Sequence, residues 1–511
     1  MSPRDLPARP HLDHLKNSAK ALLKAVRAGD DAAVARLHNA IGKTPAPKLT
    51  DAQRAIAREY GFPTWAQLRA YVLAARSAEE AIDDFLAAIS DQNATRARKA
   101  LATHPGIATD SIHVAAALGR ADAAAQLIAR DPSVVSARAG NPPVDALYAL
   151  CHSPFHDDAG ARDGLLATAR LLLDAGADPN TRAGRYDLPA LHGVTGERSV
   201  LPIARLLLDA GANPTDGESV FHAAEHFHED ALDLLLSKGA DLNAVGDWGN
   251  TPLYFLLRWW NVEREARVKE GMLWLLRHGA DPNVPCAKER ESALHVAAWR
   301  GQSAQVIRLL LEHGAHVNAR RGDGRTAWSL ARRAGYDAIA ALLQEAGAEV
   351  EPLSPVDLLI AACGHGDANA ARRLATPAVL AVLTPVDCYV LPEAADNGRL
   401  DVVAACIAAG IPVNATDTNG ATALHYSAIR GRVKHVHALL NAGAATDIRD
   451  TQHSSTPLGW AFYGADFIAD ADGDYEGCVL ALLQAGARPL TDEHQPAHEG
   501  VRKAMQAHFR S

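Results

Sequence analysis

The sequence predicts an all-α protein that is built from a repeated pair of helices. Two observations carry this prediction: a glycine-ended apolar segment recurs along the chain, and a second short signature precedes most of its copies. The chain has 511 residues, which is more than one compact core normally holds. An extended repeat array or several domains is therefore expected.

The recurring segment is visible in "LLLDAGADPN" from Leu171, "LLLSKGADLN" from Leu234 and "LLLEHGAHVN" from Leu309. Its copies recur at spacings that scatter around about 33 residues, the length of a short structural repeat. One gap is twice as long, and a degenerate copy that begins at Leu353 fills it. The glycines of the nine clear copies are Gly176, Gly211, Gly239, Gly279, Gly314, Gly347, Gly410, Gly443 and Gly486.

The order of residues within the segment predicts its local structure. The apolar triplet closes a helix, and the glycine that follows can take the left-handed backbone conformation that ends a helix. The Asp-Pro-Asn or His-Val-Asn that comes next begins an extended excursion. Asp323-Gly324 and Asn419-Gly420 then supply hairpin-turn chemistry before the next helix.

The second signature identifies the type of repeat. It reads "SALHVAA" at Ser292, "TALHYSA" at Thr422 and "TPLYFLL" at Thr251, and with these residues the chain resembles the ankyrin-repeat family. The resemblance is convincing from about Asp110 to Asp492, and weaker units begin near Glu79. It implies a curved solenoid of roughly a dozen helix pairs, with β-hairpin fingers along one edge and first helices lining the concave face.

Four segments are predicted from the repeat pattern. Residues 1–76 form a helical N-terminal cap, and residues 77–352 form a first sub-array of repeats. Residues 353–492 form a second sub-array whose first unit is degenerate, and residues 493–511 form a C-terminal cap helix. Caps are expected because the outer face of an end repeat must be polar.

Composition limits the class of partner. Lys plus Arg is 51 and Asp plus Glu is 60, so the net charge is 51 − 60 = −9, which argues against nucleic acid. No apolar run approaches the roughly 20 residues of a membrane span. The six scattered cysteines indicate reduced thiols and a cytoplasmic location. A monomer without a cofactor is expected.

One short stretch matches a metal-binding motif. His222-x-x-Glu225-His226 has the pattern of inverted zinc peptidases, but zinc would need a third protein ligand and an open position. The resemblance also implies that His222 is a structural histidine that hydrogen-bonds between neighbouring repeats. The other members of that column are His192, His295 and His425. The sequence therefore predicts no metal at this motif.

A second stretch has the spacing of a calcium loop. Asp470, Asp472 and Asp474 stand at positions 1, 3 and 5 of "DADGDYEG". Tyr475 occupies the position that requires glycine, and Ala481 stands where the bidentate glutamate belongs. A solvated loop is the interpretation that these residues favour.

Side chains that the repeat does not require are the candidates for ligand binding. Exposed tryptophan and arginine are the residue types that anchor interfaces. They define a predicted recognition zone from about Tyr148 to Arg300 in the concave groove and the fingers. The predicted binding residues are Trp248, Arg258, Trp259, Trp299, Arg300, Glu225 and His226.

Two classes of function remain open from the sequence. The leading hypothesis is a non-catalytic scaffold that binds a protein partner through its groove and fingers. The alternative is an enzyme or small-molecule binder whose site lies in the same zone, with general acid/base chemistry. Its candidate catalytic residues are His226, Glu225, His152 and Tyr186.

Overall fold

The computed structural model describes residues 12–196, 198–259, 262, 266–286, 289–490, 496 and 498–509. They fall into two compact units, Met1–Ala223 with Asp230–Ala240 and Ala224–Glu229 with Asp241–Ser511. Helices dominate the described residues, which confirms the all-α class. The sequence-predicted boundary between residues 352 and 353 lies inside the second unit and stays a prediction.

The first unit begins with long helices and continues with short helix pairs. The helices are α1 (Leu12–Arg27), α2 (Asp31–Ile41), α3 (Leu49–Glu59), α4 (Trp65–Ser90), α5 (Ala94–Thr103), α6 (Ile107–Asp110), α7 (Ile112–Ala117), α8 (Ala121–Arg130), α9 (Ala146–Cys151), α10 (Arg162–Asp174), α11 (His192–Thr195) and α12 (Leu201–Asp209). A 3₁₀ turn covers Pro132–Val135. Helix α13 (Ser219–Glu225) is divided between the two units after Ala223. Helix α14 (Glu229–Ser237) belongs to the first unit from Asp230 onward.

The second unit continues the same alternation of helices. They are α15 (Pro252–Trp259), α16 (Ala266–Arg277), α17 (Ala293–Arg300), α18 (Ala304–Glu312), α19 (Ala327–Arg333), α20 (Asp337–Glu345), α21 (Pro355–Gly364), α22 (Ala368–Leu374), α23 (Pro377–Leu380), α24 (Val390–Asp396), α25 (Leu400–Ala409), α26 (Ala423–Ile429), α27 (Val433–Asn441), α28 (Pro457–Tyr463), α29 (Tyr475–Gln484) and α30 (Glu499–His508). A 3₁₀ turn covers Asp387–Tyr389, and a π-helical turn covers Gly464–Ile468.

Helix α4 joins two separate hydrophobic cores of the first unit. Leu68 and Val72 pack into a core with α1, α2 and α3. Phe85 and Ile89, further along the same helix, belong to a second core that includes side chains of α7 and α9. The predicted end of the N-terminal cap at residue 76 falls inside this helix, between the two cores, and stays a prediction.

The fingers between helix pairs contain little regular sheet. Strands β1 (Arg182–Ala183) and β2 (Leu188–Pro189) pair antiparallel, with Arg182 opposite Pro189 and Ala183 opposite Leu188. Four further fingers are each held by one bridge, for example Cys286 with Glu291. Among the described residues, no helix is both long and apolar enough to cross a membrane.

The repeated glycine ends its helix in the way that the sequence predicts. Gly314 follows α18 with φ = +87°, in the left-handed region that favours glycine. Its N–H donates to the carbonyl of Leu311 (3.0 Å), and the next N–H, of Ala315, donates to that of Leu310 (2.9 Å). A Cβ atom at Gly314 would meet nothing within 4 Å. The glycine is therefore required by its backbone angle rather than by space.

The asparagine that ends several of these segments ties one repeat to the next. The side chain of Asn283 donates from Nδ2 to the Gly314 carbonyl (2.9 Å) and accepts the His316 N–H at Oδ1 (2.8 Å). Asn180 makes the same two bonds in the first unit, to Gly211 and Asn213. In the second unit the pattern recurs at Asn243 and Asn318. We call these four side chains the asparagine ladder.

Replacing a ladder asparagine should destabilise the array. We expect Asn283→Ala to lower the free energy of unfolding by about 1–3 kcal/mol, because two hydrogen bonds of about 0.5–1.5 kcal/mol each are lost. Urea denaturation followed by circular dichroism measures the change.

The matched control is Asn441→Ala, at the exposed last residue of α27. Alanine has the higher helix propensity, so this variant should be as stable as the parent or slightly more stable. Equal losses of stability in the two variants would contradict a clamping role for the ladder.

Candidate functional site

The motif histidines form hydrogen bonds to the neighbouring finger. Nε2 of His295 lies 3.0 Å from the Ala319 carbonyl, and Nε2 of His425 lies 3.2 Å from the Ser455 carbonyl. In each case Nδ1 accepts the N–H of the residue three positions earlier, Ser292 or Thr422 (3.1 Å). This arrangement assigns the proton to Nε2. The structural role implied by the resemblance is confirmed for His295 and His425.

The zinc-like motif has no metal-binding cluster around it in the described residues. Among them, no group of three or more His, Cys, Asp or Glu side chains is arranged to hold a metal ion. Nε2 of His222, on α13, lies 3.3 Å from a carboxylate oxygen of Glu218. Glu225 and His226 belong to the second unit and are half-buried. The absence of a metal here stays a prediction from the sequence.

Two of the calcium-like carboxylates have local backbone partners. Asp474 is the N-cap of α29, and its Oδ1 accepts the N–H of Gly477 (2.7 Å). Oδ1 of Asp470 accepts the N–H of Asp472 (3.2 Å). The hydroxyl of Tyr475 accepts the Asp470 N–H (3.0 Å) and so fixes the start of the loop. Capping and turn formation thus account for two of the three aspartates.

The candidate catalytic residues are distributed over both units. In the first unit, the buried ring of His152 stacks on Tyr148 at 4.1 Å, and its Nε2 lies 3.0 Å from the Pro189 carbonyl. Burial lowers the pKa of His152 to about 4, so the ring is neutral at pH 7. Tyr186 is exposed on the β1–β2 finger, whereas Glu225 and His226 belong to the second unit. Their catalytic role stays a prediction.

Trp248 lies on an exposed finger of the second unit. The turn that carries it is closed by the Gly246 N–H to the Asn250 carbonyl and by the Gly249 N–H to the Gly246 carbonyl (both 2.9 Å). Gly249 takes φ = +75°, which only glycine adopts without strain. The Trp248 side chain is 57% exposed, and the nearby Val245 is also exposed. The finger therefore presents an apolar tip on a defined turn.

The predicted groove residues of α15 and α17 come together in the second unit. The Arg258 guanidinium lies 4.8 Å from the ring centroid of Trp259 and 4.8 Å from that of Trp299. Both distances are within the range of cation–π attraction. Arg258 and Trp299 are consequently parts of one aromatic–cationic group, which we call the Arg258 cage: Arg258, Trp259 and Trp299.

Behind the cage lies a network of ion pairs that the sequence did not predict. Arg300 pairs with Glu393 and, from Nη1 to Oδ2 at 3.0 Å, with Asp396. Arg430 Nε lies 3.3 Å from the other oxygen of Asp396, and Arg258 Nη1 lies 3.7 Å from Oε2 of Glu393. Only 6% of the Arg300 side chain is exposed. Helices α15 and α17 are thereby linked across the unit to α24 and α26.

The two acidic partners respond differently to this environment. Burial raises the pKa of Glu393, and the repulsion of Asp396 adds to that effect, against the opposing pull of Arg300 and Arg258. Burial also acts to raise the pKa of Asp396, but Arg300 and Arg430 outweigh it and lower the pKa. The signal in the sequence was a pair of carboxylates three residues apart in the otherwise apolar "VLPEAAD". Their distant partners could not be read from it.

A second ion-pair network anchors the degenerate repeat. Arg325 Nη2 lies 2.9 Å from Oδ1 of Asp387 and 3.2 Å from Oδ1 of Asp357. Arg333, at the end of α19, pairs with the same two carboxylates. The unit that fills the double gap in the sequence pattern is thus fixed to its neighbour by charge as well as by packing.

The histidine bonds predict how stability depends on pH. Burial lowers the pKa of His425 to about 4, whereas an unfolded histidine has a pKa near ~6.5. Below about pH 6.5 the unfolded chain binds a proton that the folded chain excludes, so stability falls as pH falls. We expect His425→Gln to remove about 2 kcal/mol of the stability difference between pH 7 and pH 5.

Urea denaturation at the two pH values measures this difference. His437→Gln, at an exposed position of α27, is the matched control and should retain the full pH dependence of the parent. If His425→Gln and the parent lost equal stability on acidification, the proposed exclusion of the proton at His425 would be wrong.

The buried network predicts an unequal effect of two Arg→Gln substitutions. Arg300→Gln should lower the free energy of unfolding by about 3–5 kcal/mol, because Glu393 and Asp396 lose the buried cation that hydrogen-bonds to both of them. Arg320 pairs with Glu351 on the surface, and Arg320→Gln should leave stability unchanged, because solvent screens such pairs. Urea denaturation at pH 7 compares the variants, and equal stability of both would contradict the importance of the network.

Comparison with known proteins identifies the repeat. Two family profiles, both described as ankyrin repeats, match residues 264–353 in one case and residues 220–264 and 391–440 in the other. E3 ubiquitin-protein ligase KEG of Arabidopsis thaliana is 26% identical over 53% of this chain and 17% of that protein. The Caenorhabditis elegans ankyrin repeat and KH domain-containing protein mask-1 is 29% identical over 53% of this chain and 10% of that protein. This chain thus spans less than a fifth of the length of either relative.

Human proteins show the same similarity over shorter stretches. Ankyrin repeat domain-containing protein 63 of Homo sapiens is 36% identical over 30% of this chain and 35% of that protein. The solved structure of the human ASB11 ankyrin repeat domain aligns with a TM-score of 0.34 and 26% identity, over 47% of this chain and 99% of that domain. The matched family profiles agree with the helix pairs, the left-handed glycines and the histidine–carbonyl bonds described above, and this chain is an ankyrin-repeat protein.

Proposed function

We propose that this protein is a non-catalytic scaffold that binds a protein partner, with the Trp248 finger as one anchor. The observation that carries the proposal is the exposure of Trp248 on a turn closed by two backbone hydrogen bonds. A large exposed aromatic side chain is unusual in a soluble protein, and tryptophan is enriched among the residues that dominate binding energy. A preformed turn also lowers the entropy lost on binding.

The position of this finger in the chain supports the same function. Repeat arrays present extended surfaces to their partners, and loops of such arrays collect on one face. Val245 lies on the same finger and is 49% exposed, so the tip offers more than one apolar side chain. The remaining predicted binding residues, including Glu225 and His226, stay candidates for contacts along the groove.

The enzyme hypothesis has no comparable support. His152 is stacked on Tyr148 and bound to a backbone carbonyl, so its ring faces protein rather than a substrate. Acid/base chemistry needs the acting groups within hydrogen-bond reach of one reacting atom. The buried, backbone-bound ring of His152 does not meet this requirement. A cytoplasmic location and a monomeric state stay predictions.

Substitution of the fingertip tests the scaffold proposal. The full chain and its Trp248→Ala variant are used to capture proteins from a lysate, and an enriched partner is then titrated against both. We expect the variant to bind at least about 30-fold more weakly, which corresponds to a hot-spot loss of about 2 kcal/mol.

Phe509→Ala provides the matched control, because Phe509 is an equally exposed aromatic residue outside the fingers. It should bind the partner as tightly as the parent does. Equal affinity of Trp248→Ala and the parent for every captured protein would contradict the role of this finger.

A further inference from the structure

Arg258 is buried and has hydrogen-bonding capacity that the described chain does not use. Its side chain is 15% exposed, and among the described residues its nearest acidic oxygen, Oε2 of Glu393, lies 3.7 Å away, beyond hydrogen-bond distance. The other oxygen of Glu393 is already engaged by Arg300 and by Nδ2 of Asn397 (3.2 Å). Among the described residues, no acceptor takes a hydrogen bond from the five N–H groups of Arg258.

Trp299 supplies a second unused donor in the same cage. Its ring lies 4.8 Å from the Arg258 guanidinium. Its Nε1 is buried, with no hydrogen-bond partner in the part of the chain that the structure describes. A buried indole N–H normally has a partner, and leaving one unsatisfied costs about 1–3 kcal/mol. Two independent donors thus lack acceptors at one place.

The charged side chains around the cage also favour an anionic ligand, because arginines outnumber carboxylates. Three arginines, Arg258, Arg300 and Arg430, share two carboxylates, Glu393 and Asp396. The guanidinium of the neighbouring Arg432 donates hydrogen bonds to the backbone carbonyls of Ala395 and Asp396. Among the described residues of this cluster, four arginines thus accompany two carboxylates, so positive charge is in excess. Buried charge that is not compensated is costly.

We propose that the Arg258 cage is a binding site for one carboxylate group. The carboxylate would accept hydrogen bonds from the Arg258 fork and the Trp299 indole, while the rings of Trp259 and Trp299 would contact the apolar atoms attached to it. This site is distinct from the Trp248 finger and does not depend on the partner proposed above. The carboxylate belongs either to an acidic side chain of a polypeptide or to a free carboxylic acid.

The ligand class follows from charge and shape. A carboxylate is planar and monoanionic at pH 7, so it matches the guanidinium fork and reduces the excess of positive charge. A dianionic phosphate would place a second negative charge beside Glu393 and Asp396. Chloride carries the charge but cannot receive two parallel hydrogen bonds from one guanidinium. The site should therefore prefer carboxylate to both.

Indole resonances provide a direct test. The full chain is labelled with ¹⁵N at its eight tryptophans, and the Trp299 signal is assigned by its loss in Trp299→Phe. The probes are Ac-Gly-Leu-Asp-Leu-Gly-amide, its Asn counterpart, sodium acetate and sodium chloride. We expect the Trp299 N–H signal to move downfield and saturate with the Asp peptide or acetate, and to stay in place with the Asn peptide and chloride.

The variant Arg258→Gln separates recognition by the cage from a general effect of salt. It should weaken carboxylate binding about tenfold or more, because a charge-assisted bidentate contact is lost, while the other indole signals report that the fold is intact. If this variant did not fold, Trp299→Phe is used instead. It keeps an aromatic ring at this position but replaces the indole by a smaller phenyl ring and removes the N–H, and it should weaken binding several-fold when followed through the Trp259 signal.

Each outcome decides the proposal. A response to the Asp peptide alone identifies an acidic side chain of a polypeptide as the source, and a response to acetate alone identifies a free carboxylic acid. A Trp299 signal that no probe moves, or that chloride moves as far as acetate does, would overturn the site. So would a carboxylate response that persists undiminished in Arg258→Gln.

Discussion

A repeat of two short helices cannot bury its apolar face alone, and every other feature of this protein depends on its attachment to the next repeat. The asparagine ladder fixes each repeat to the one that follows it through side-chain hydrogen bonds. Asn283 both donates to the Gly314 carbonyl and accepts the His316 N–H, so one side chain fixes two backbone groups of the following unit. These groups lie beside a helix end, where carbonyls have no partner within their own helix. The histidine bonds act in the same way at the opposite end of the unit, from His295 to the next finger.

The second unit adds a longer-range constraint to this local one. Arg300 and Glu393 are separated by 93 residues in sequence, yet they form an ion pair. A solenoid held only by neighbouring contacts would have no such link. The buried network therefore joins helices that lie far apart in the sequence, and the Arg258 cage adjoins it through the contact of Arg258 with Glu393. Stability and potential recognition are coupled here, because the arginines that hold the helices also create the surplus positive charge.

Several repeat positions illustrate how far sequence reasoning extends. The left-handed glycines and the helix pairs were predictable because each is set by residues close in sequence, whereas the structural histidines were implied by the resemblance to ankyrin repeats. The interpretation of "DADGDYEG" as a loop rested on the failure of two defining positions, and the structure adds that Asp474 caps α29. Arg300, however, was predicted to face a ligand, and the structure places it in ion pairs with Glu393 and Asp396. Its binding role remains a prediction, and a ligand at Arg300 would have to compete with these two carboxylates.

The sequence by itself determined the fold class, the period of the repeat and the residues that close each helix, because those properties follow from local backbone preference and from spacing along the chain. It also identified Trp248, Arg258, Trp259 and Trp299 as side chains that the repeat does not need. Only the tertiary structure decided which of them meet, since contacts between residues as far apart as Arg300 and Glu393, 93 positions, cannot be read from one repeat. The packing of the second unit brings Glu393 and Asp396 to Arg300, leaves Arg258 and the Trp299 indole without acceptors among the described residues, and exposes Trp248 on its finger.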